Sequence, residues 1–307
     1  MLSRSLQRAA VAGVAALLAL GTLSACSDSS TDSTGRTTVV TGFYPLQFVT
    51  EKVGGPDVDV VNLAQPGAEP HDMELSPAQV AQVANAGLVV YLKGFQPQLD
   101  EAVAQNAGDR AFDVAAVTPL VGGPNHQGAN EEGGNAPDPH FWLDPTRLAV
   151  VAKDVAKKLA ERDPAHAAGY TERGDALAAE LTKLDAEFTA GLANCQRHEI
   201  VTSHAAFGYL ADRYKLKQIA LSGLTPDTEP TPQQVAAVAA EARQYGATTI
   251  FFETLVSPKV AQTLAEQVGA KTAVLDPLEG LAEGGTGDYF SVMRANLATL
   301  RTALGCS

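Results

Sequence analysis

Three of the six histidines stand in sequence contexts that suit metal binding. His71 lies in GAEPHDMELSP, His140 in PDPHFWLDP and His204 in VTSHAAFGYL. Neutral imidazole is the commonest metal ligand among side chains. These histidines are 69 and 64 residues apart in the chain, which excludes the local spacing of a zinc finger. A site that uses all three must therefore be assembled by the tertiary fold.

A carboxylate near the end of the chain is the candidate fourth ligand. Glu279 lies in LDPLEGL, just beyond the last predicted strand. Three imidazole nitrogens and one carboxylate oxygen suit four-coordinate Zn²⁺, whereas Mn²⁺ prefers more oxygen ligands. The sequence leaves three other fourth ligands open, namely Asp276, Glu69 and a water molecule.

The chain alternates short β-branched segments with segments of helical spacing, which predicts mainly parallel sheets with crossover helices. The predicted strands form two groups of four: 39–43, 58–63, 88–92 and 111–117, then 199–204, 216–221, 248–253 and 272–276. The helices predicted beside them are 45–54, 77–86, 97–106, 205–214, 231–245, 257–268 and 288–303. We therefore expect an α/β fold with two lobes, each a mainly parallel sheet flanked by helices.

The segment between the two groups of strands predicts two helices, 146–163 and 165–194, because it is rich in Ala, Leu, Lys and Glu. The second would be about 45 Å long, enough to run along both lobes as a rigid backbone. The predicted organisation is an N-terminal lobe at 37–164, the linking helix at 165–194 and a C-terminal lobe at 195–307.

All four candidate ligands follow predicted strands or lie on the loops that leave them. Open α/β sheets bind ligands at this carboxyl edge, and two facing lobes bring both edges to one cleft. We expect His71 and His140 from the first lobe, and His204 and Glu279 from the second, to converge on a single ion.

The net charge narrows the class of ligand. The chain has 22 Lys and Arg against 35 Asp and Glu, a formal charge of −13. An acidic surface repels nucleic acid and anionic lipid but attracts cations. Cations are therefore the expected ligands.

Residues 1–25 have the features of an export signal. Basic residues precede an apolar run at 9–20 that is too short to span a bilayer comfortably. LSAC, ending at Cys26, resembles a bacterial lipobox, in which the cysteine is lipid-modified and becomes the mature N-terminus. Residues 26–36 are polar and suit a flexible tether. An uncleaved signal anchor and a plain secretory signal are the alternatives.

Two cysteines remain after Cys26, and export favours a disulfide between Cys195 and Cys306. Two unpaired thiols are the alternative. The loop at 122–138 carries His126 and no periodicity. It suits either a weak collector of Zn²⁺ or an ordinary surface loop.

Several motifs in order resemble the metal-binding substrate-binding proteins of bacterial ABC importers, in the zinc-uptake branch. They are FYPLQFV, GAEPHD, PDPHFWLDP, SHAAFGYLADRY, GLTPDTEPTP, FFETLVSPKVAQTLA and LDPLEGL, and the resemblance covers residues 37–304. The loop before His140 departs from the family, where it is often long and histidine-rich.

The resemblance implies a protein without enzymatic activity that captures Zn²⁺ between two lobes. It implies ligands at His71, His140, His204 and Glu279. It also implies delivery to a membrane permease with a cytoplasmic ATPase. Together with Cys26, it predicts a monomer lipid-anchored to the outer face of the cytoplasmic membrane.

Three other functions stay open. A zinc hydrolase would need an open position for water beside a general base such as Glu69 or Glu253, and the sequence has neither a nucleophile elbow nor an HExxH helix. The same fold binding Mn²⁺ or Fe²⁺ is a second alternative. An exported adhesion protein with a structural metal is the third.

Overall fold

The computed structural model describes residues 35–122, 136–226, 229–285 and 287–307. The predicted signal, the predicted lipidation site at Cys26 and His126 lie outside these residues. Within the described ranges, no helix combines the length and the apolar character needed to cross a bilayer.

The N-terminal half forms a four-stranded sheet in which every pair of neighbouring strands is parallel. Its strands, in the order β2-β1-β3-β4, are β1 (Thr37–Thr41), β2 (Val58–Asn62), β3 (Leu88–Tyr91) and β4 (Ala111–Asp113). The helices α1 (Tyr44–Gly54), α2 (Pro77–Asn85) and α3 (Pro97–Asn106) connect these strands. The predicted Ser76-Pro77 start of α2 is a capping box, in which Ser76 and Gln79 satisfy each other's backbone N–H groups.

The C-terminal half repeats the arrangement, with strand order β6-β5-β7-β8 and parallel pairing throughout. Its strands are β5 (Glu199–Thr202), β6 (Lys217–Ala220), β7 (Thr249–Phe252) and β8 (Lys271–Val274). Its helices are α6 (Gly208–Tyr214), α7 (Pro232–Gln244), α8 (Lys259–Val268) and α9 (Tyr289–Leu304). The predicted fold class of two parallel-sheet lobes agrees with this structure.

Most elements are shorter than predicted, and β4, α6 and the linking helix fall short by three residues or more. β4 stops at Asp113 because the Asp113 side chain accepts the Ala115 N–H at 3.0 Å and starts a short turn. The helix expected from residue 205 begins at Gly208, because residues 203–207 form a turn that presents His204.

Helices α4 (Pro145–Arg162) and α5 (Ala167–Gly191) join the halves. The 25 residues of α5 extend about 37 Å. Near its start, Arg173 donates to Val53 O at 2.7 Å and Gly54 O at 2.8 Å in the first lobe. Near its end, Asp185 pairs with Arg213 at 2.7 Å in the second lobe. The long helix is thus tied to both lobes, as the resemblance implies.

A bond between Cys195 and Cys306, with an S–S distance of 1.95 Å, closes the second lobe. It links the end of the chain to the segment just before β5, 111 residues earlier. The predicted pairing and this arrangement agree.

A glycine allows α4 and α5 to approach closely. A Cβ atom added at Gly174 would lie 2.7 Å from Ala156 Cβ and 3.3 Å from Ala152 O. We expect Gly174→Val to lower the free energy of unfolding by about 1–3 kcal/mol, because the extra carbons force the helices apart. The exposed control Ala176→Val should cost only a few tenths of a kcal/mol. Equal urea midpoints for both variants would contradict this contact.

Candidate metal centre

His71 lies on the loop that leaves β2, and Gln96 fixes that loop. The Gln96 amide, which is buried, donates to Gly42 O at 3.1 Å and to Pro70 O at 3.2 Å. The imidazole of His71 packs edge-on against Phe95, with ring centroids 4.6 Å apart. The chain just before His71 is therefore anchored to the end of β1 and the start of α3.

His140 enters the site just before a short helical turn at Phe141–Leu143. Its Nδ1 and its backbone N–H both lie within hydrogen-bond distance of Asp138 Oδ1, at 2.7 and 2.9 Å. Trp142, fully buried, donates its indole N–H across the lobe interface to Pro277 O at 2.7 Å. The same segment thus carries a candidate ligand and a contact between lobes.

His204 follows β5 directly. Its carbonyl oxygen accepts from Thr202 Oγ1 at 2.7 Å and from Gln218 Nε2 at 2.9 Å, which fixes the backbone of the turn. Its Nδ1 lies 2.8 Å from Glu253 Oε1 at the end of β7. That oxygen also accepts from Ser203 Oγ at 2.9 Å. Two neighbouring strand ends therefore orient this imidazole.

Glu279 lies on the loop after β8, in a tight turn in which Leu278 has φ +58°. Asp276 Oδ1 accepts the Leu278 N–H at 2.8 Å, and Asp276 Oδ2 accepts from Thr254 at 3.0 Å. Both oxygens of Asp276 therefore accept hydrogen bonds from the protein. Asp276 shapes the loop, and Glu279 is the carboxylate that reaches the histidines.

The four predicted ligands converge in the structure. Nε2 of His140 and Nε2 of His204 each lie 3.0 Å from Glu279 Oε1, and Nε2 of His71 lies 3.6 Å from it. All four residues are buried, with at most 6% of their surface exposed. His71 and His140 come from the first half of the chain and the other two from the second, so the site spans the lobe interface.

These distances suit a tetrahedral ion. Bonds of about 2.0–2.1 Å to Zn²⁺ place neighbouring ligand atoms about 3.3 Å apart. The observed separations of 3.0–3.6 Å bracket that value. His71 Nε2 and Glu279 Oε2 are buried and make no hydrogen bond within the described structure. A buried polar atom without a partner is costly, and a bound cation would satisfy both.

Asp138, which has no role in the sequence predictions, and Glu253, which the sequence suggests only as a candidate hydrolase base, orient the imidazoles. Asp138 and Glu253 contact Nδ1 of His140 and His204, which leaves Nε2 of each ring facing Glu279. Such partners fix the tautomer of metal-binding histidines and raise their basicity. Asp138, two residues before His140 in PDPH, was detectable in the sequence. Glu253, 49 residues beyond His204, was not.

The carboxylates make the histidines stronger bases. Burial opposes the charged form of His140, but Asp138 and Glu279 outweigh it and raise its pKa to about 8. Burial is likewise outweighed at His204 by Glu253 and Glu279, so its pKa lies well above the usual value. Burial lowers the pKa of His71, which stays neutral.

The pKa values of Glu279 and of its neighbour Glu69 shift in opposite directions. Burial opposes the charge on Glu279, but the charge of His204 and the hydrogen bonds from the histidines hold its pKa well below the usual range. Burial, with the charge of Glu279, raises the pKa of Glu69 to about 8. Glu69 Oε1 accepts the His71 backbone N–H at 3.0 Å, so it lies beside the four residues rather than among them.

A protein-family comparison matches residues 39–303 to the family described as zinc-uptake complex component A, periplasmic. The chain belongs to this zinc-uptake family. The resemblance predicted from the sequence motifs is thereby confirmed. The description places the family outside the cytoplasm as part of a transport complex.

Similar proteins agree with the family. The high-affinity zinc uptake system protein ZnuA of Bacillus subtilis (strain 168) is 33% identical over 305 residues, covering 92% of this chain and 93% of that protein. The zinc-binding protein AdcA of Streptococcus pyogenes serotype M1 is 37% identical over 287 residues, covering 87% of this chain and 56% of that protein. The chain thus spans about half the length of AdcA relatives of this kind.

A solved structure of the zinc-uptake type supports the fold. The Zn(II)-bound ZnuA-like domain of Streptococcus pneumoniae AdcA superposes with a TM-score of 0.75 at 31% identity, covering 88% of this chain and 99% of that one. The two-lobed α/β fold predicted from the sequence is confirmed.

The raised pKa values predict proton release when a metal binds. A cation must displace the protons of His140 and His204, so we expect about two protons released per zinc ion at pH 7. Apparent affinity should therefore fall as the pH drops below about 8. Calorimetry in buffers of different ionisation enthalpy measures the count.

Asp138→Asn is the matched variant for this measurement. It removes the charge that raises the pKa of His140, so we expect about one proton fewer per zinc ion at pH 7. A wild-type count below about one, or an unchanged count in the variant, would contradict the assigned protonation.

Proposed function

We propose that this chain captures Zn²⁺ between its lobes through His71, His140, His204 and Glu279 and delivers it to an ABC permease. The observation that carries the proposal is the convergence of three Nε2 atoms on one oxygen of Glu279. Three imidazoles from three different loops meet in this way only if the fold is built around a common partner. The family description and the zinc-bound relative support zinc as that partner.

The donor set favours zinc over manganese. Manganese prefers more oxygen ligands and a higher coordination number. Here Asp138 and Glu253 engage the Nδ1 atoms of two histidines. These carboxylates therefore act on the ion through the rings, and the inner set remains three nitrogens and one oxygen.

The site favours binding rather than catalysis. A catalytic zinc keeps one coordination position open for water. Glu279 faces all three histidines and completes four ligands, and all four residues are buried. Glu253, a candidate base in a hydrolase, lies against Nδ1 of His204, on the side of the ring away from Glu279.

Contacts between the lobes that do not use the four ligands support a transported ion rather than a structural one. Trp142 donates to Pro277 O at 2.7 Å, and its own carbonyl oxygen accepts from Tyr289 at 2.6 Å. Tyr209 donates to Asp138 O at 2.9 Å. The protein therefore has its own means of holding the lobes together, and it should remain folded when the ion leaves.

The remaining parts of the proposal concern location and partners. A lipid at Cys26 would hold the mature chain at the outer face of the cytoplasmic membrane through the tether at 26–36. The mature chain would act as a monomer that hands zinc to the permease, with a cytoplasmic ATPase supplying the energy. Its acidic surface favours the approach of cations without selecting among them.

Metal analysis of the mature chain tests the ligand assignment. We expect one tightly bound zinc ion, and at equal concentrations Mn²⁺ should not displace it. His204→Ala should weaken zinc binding by at least about a hundredfold, because it removes one of four ligands. His198→Ala removes an exposed histidine outside the site and should bind like the wild type. Displacement of zinc by manganese, or unchanged affinity in His204→Ala, would contradict the proposal.

Cys26→Ala tests the anchor. Without the acceptor thiol, we expect mass spectrometry to find no lipid at the N-terminus. The protein should accumulate as unprocessed precursor or move to the soluble fraction. A wild-type chain that is membrane-bound but carries no lipid would point to an uncleaved signal anchor instead.

A further inference from the structure

A second cluster of possible ligands lies beside the histidines. Carboxylate oxygens of Glu69, Glu253 and Glu279, one from each residue, lie within 4.8 Å of one another. Glu279 belongs to this cluster and to the histidine cluster. The second cluster spans both lobes, since Glu69 follows β2 and the other two residues follow β7 and β8.

Each of these carboxylates has one oxygen bound to the protein and one without a partner. Oε1 of Glu69 accepts the His71 N–H, Oε1 of Glu253 lies against Ser203 and His204, and Oε1 of Glu279 faces the histidines. Oε2 of all three is buried and makes no hydrogen bond within the described structure. Glu253 and Glu279 are at most 2% exposed. Buried carboxylate oxygens are satisfied by hydrogen bonds or by a cation, so the cluster has the features of a cation site.

Glu69 connects this cluster to solvent. In the two clusters it is the one residue that is partly exposed. It lies where the loops of the two lobes meet, because Gly67, two residues earlier, donates to Leu281 O at 2.8 Å. An ion that enters between these loops reaches Glu69 before it reaches the buried histidines.

We propose that Glu69, Glu253 and Glu279 form a second, oxygen-only cation site, which zinc occupies briefly on its way between solvent and the three histidines. This inference rests on the proposed zinc-binding function. Carboxylates are good ligands for an incoming hydrated ion, because they replace water oxygens with charged oxygens once the ion has displaced any proton they hold. Glu279 is shared, so the ion can exchange Glu69 and Glu253 for imidazoles one at a time and keep a protein ligand throughout.

A site on the pathway has a kinetic signature. Its loss raises the barrier for entry and for exit by the same amount, and the equilibrium affinity changes little. Glu69→Gln is the appropriate variant, because the amide oxygen can still accept the His71 N–H while the carboxylate that would bind the ion is lost. By stopped-flow fluorescence with a zinc chelator, we expect association and dissociation rates of the mature chain each to fall about tenfold. The dissociation constant should stay within about threefold.

Two further variants make the result specific. Glu283→Gln makes the same substitution at an exposed residue on the facing loop, so its dissociation rate should equal that of the wild type. Glu69→Asp keeps a carboxylate that can bind the ion and should recover at least part of both rates.

Three outcomes would overturn the inference. Unchanged rates in Glu69→Gln would remove Glu69 from the pathway. A faster dissociation rate alone would make it a ligand of the final site. A slower association rate alone, with the same slowing in Glu283→Gln, would mean that Glu69 only attracts the cation from a distance and does not bind it. If the wild-type chain bound no zinc, the proposed function itself would fail, and that result is evident before any variant is compared.

Discussion

The structure depends on one oxygen atom, Glu279 Oε1, which three imidazoles from separate loops approach within 3.0–3.6 Å. A charged group is expensive to bury unless it is paired. Here the carboxylate is fully buried, and the raised pKa values of His140 and His204 favour cationic imidazoles that offset its charge. Zinc offers the same compensation more compactly, since one divalent ion replaces two protons. The net charge of the cleft is therefore similar whether it holds two protons on the histidines or one zinc ion, which allows zinc to replace the protons.

This exchange must occur while the lobes remain close together. Helix α5 is tied to the first lobe through Arg173 and to the second through Asp185. The hydrogen bonds of Trp142 add a connection near the site itself. Wide separation of the lobes would break these contacts together. Movement of the loops that carry the ligands needs far fewer broken contacts, so we infer that the loops, rather than the lobes, open the site.

The sequence predicted the architecture well because its signals are local. β-branched segments, the Ser76-Pro77 cap and the position of each histidine after a strand were sufficient to place the cluster at the carboxyl edges of two sheets. The choice of fourth ligand was harder, since Asp276 and Glu279 are three residues apart on one loop. Only the turn, in which Asp276 binds the Leu278 N–H, separates their roles. Contacts between distant segments, such as Glu253 with His204, leave no trace in local spacing.

With the proposed ligands, selectivity for zinc would follow from how the protein divides its carboxylates. Asp138 and Glu253 hold the far sides of two imidazoles, so their charge strengthens the nitrogen donors without adding oxygen to the inner set. In the proposed site, Glu279 would supply the single oxygen that closes a four-coordinate shell. If either orienting carboxylate faced the ion directly, the donor set would move towards the oxygen-rich coordination that suits manganese. The same acidic residues that attract any cation thus favour zinc because of where the fold places them.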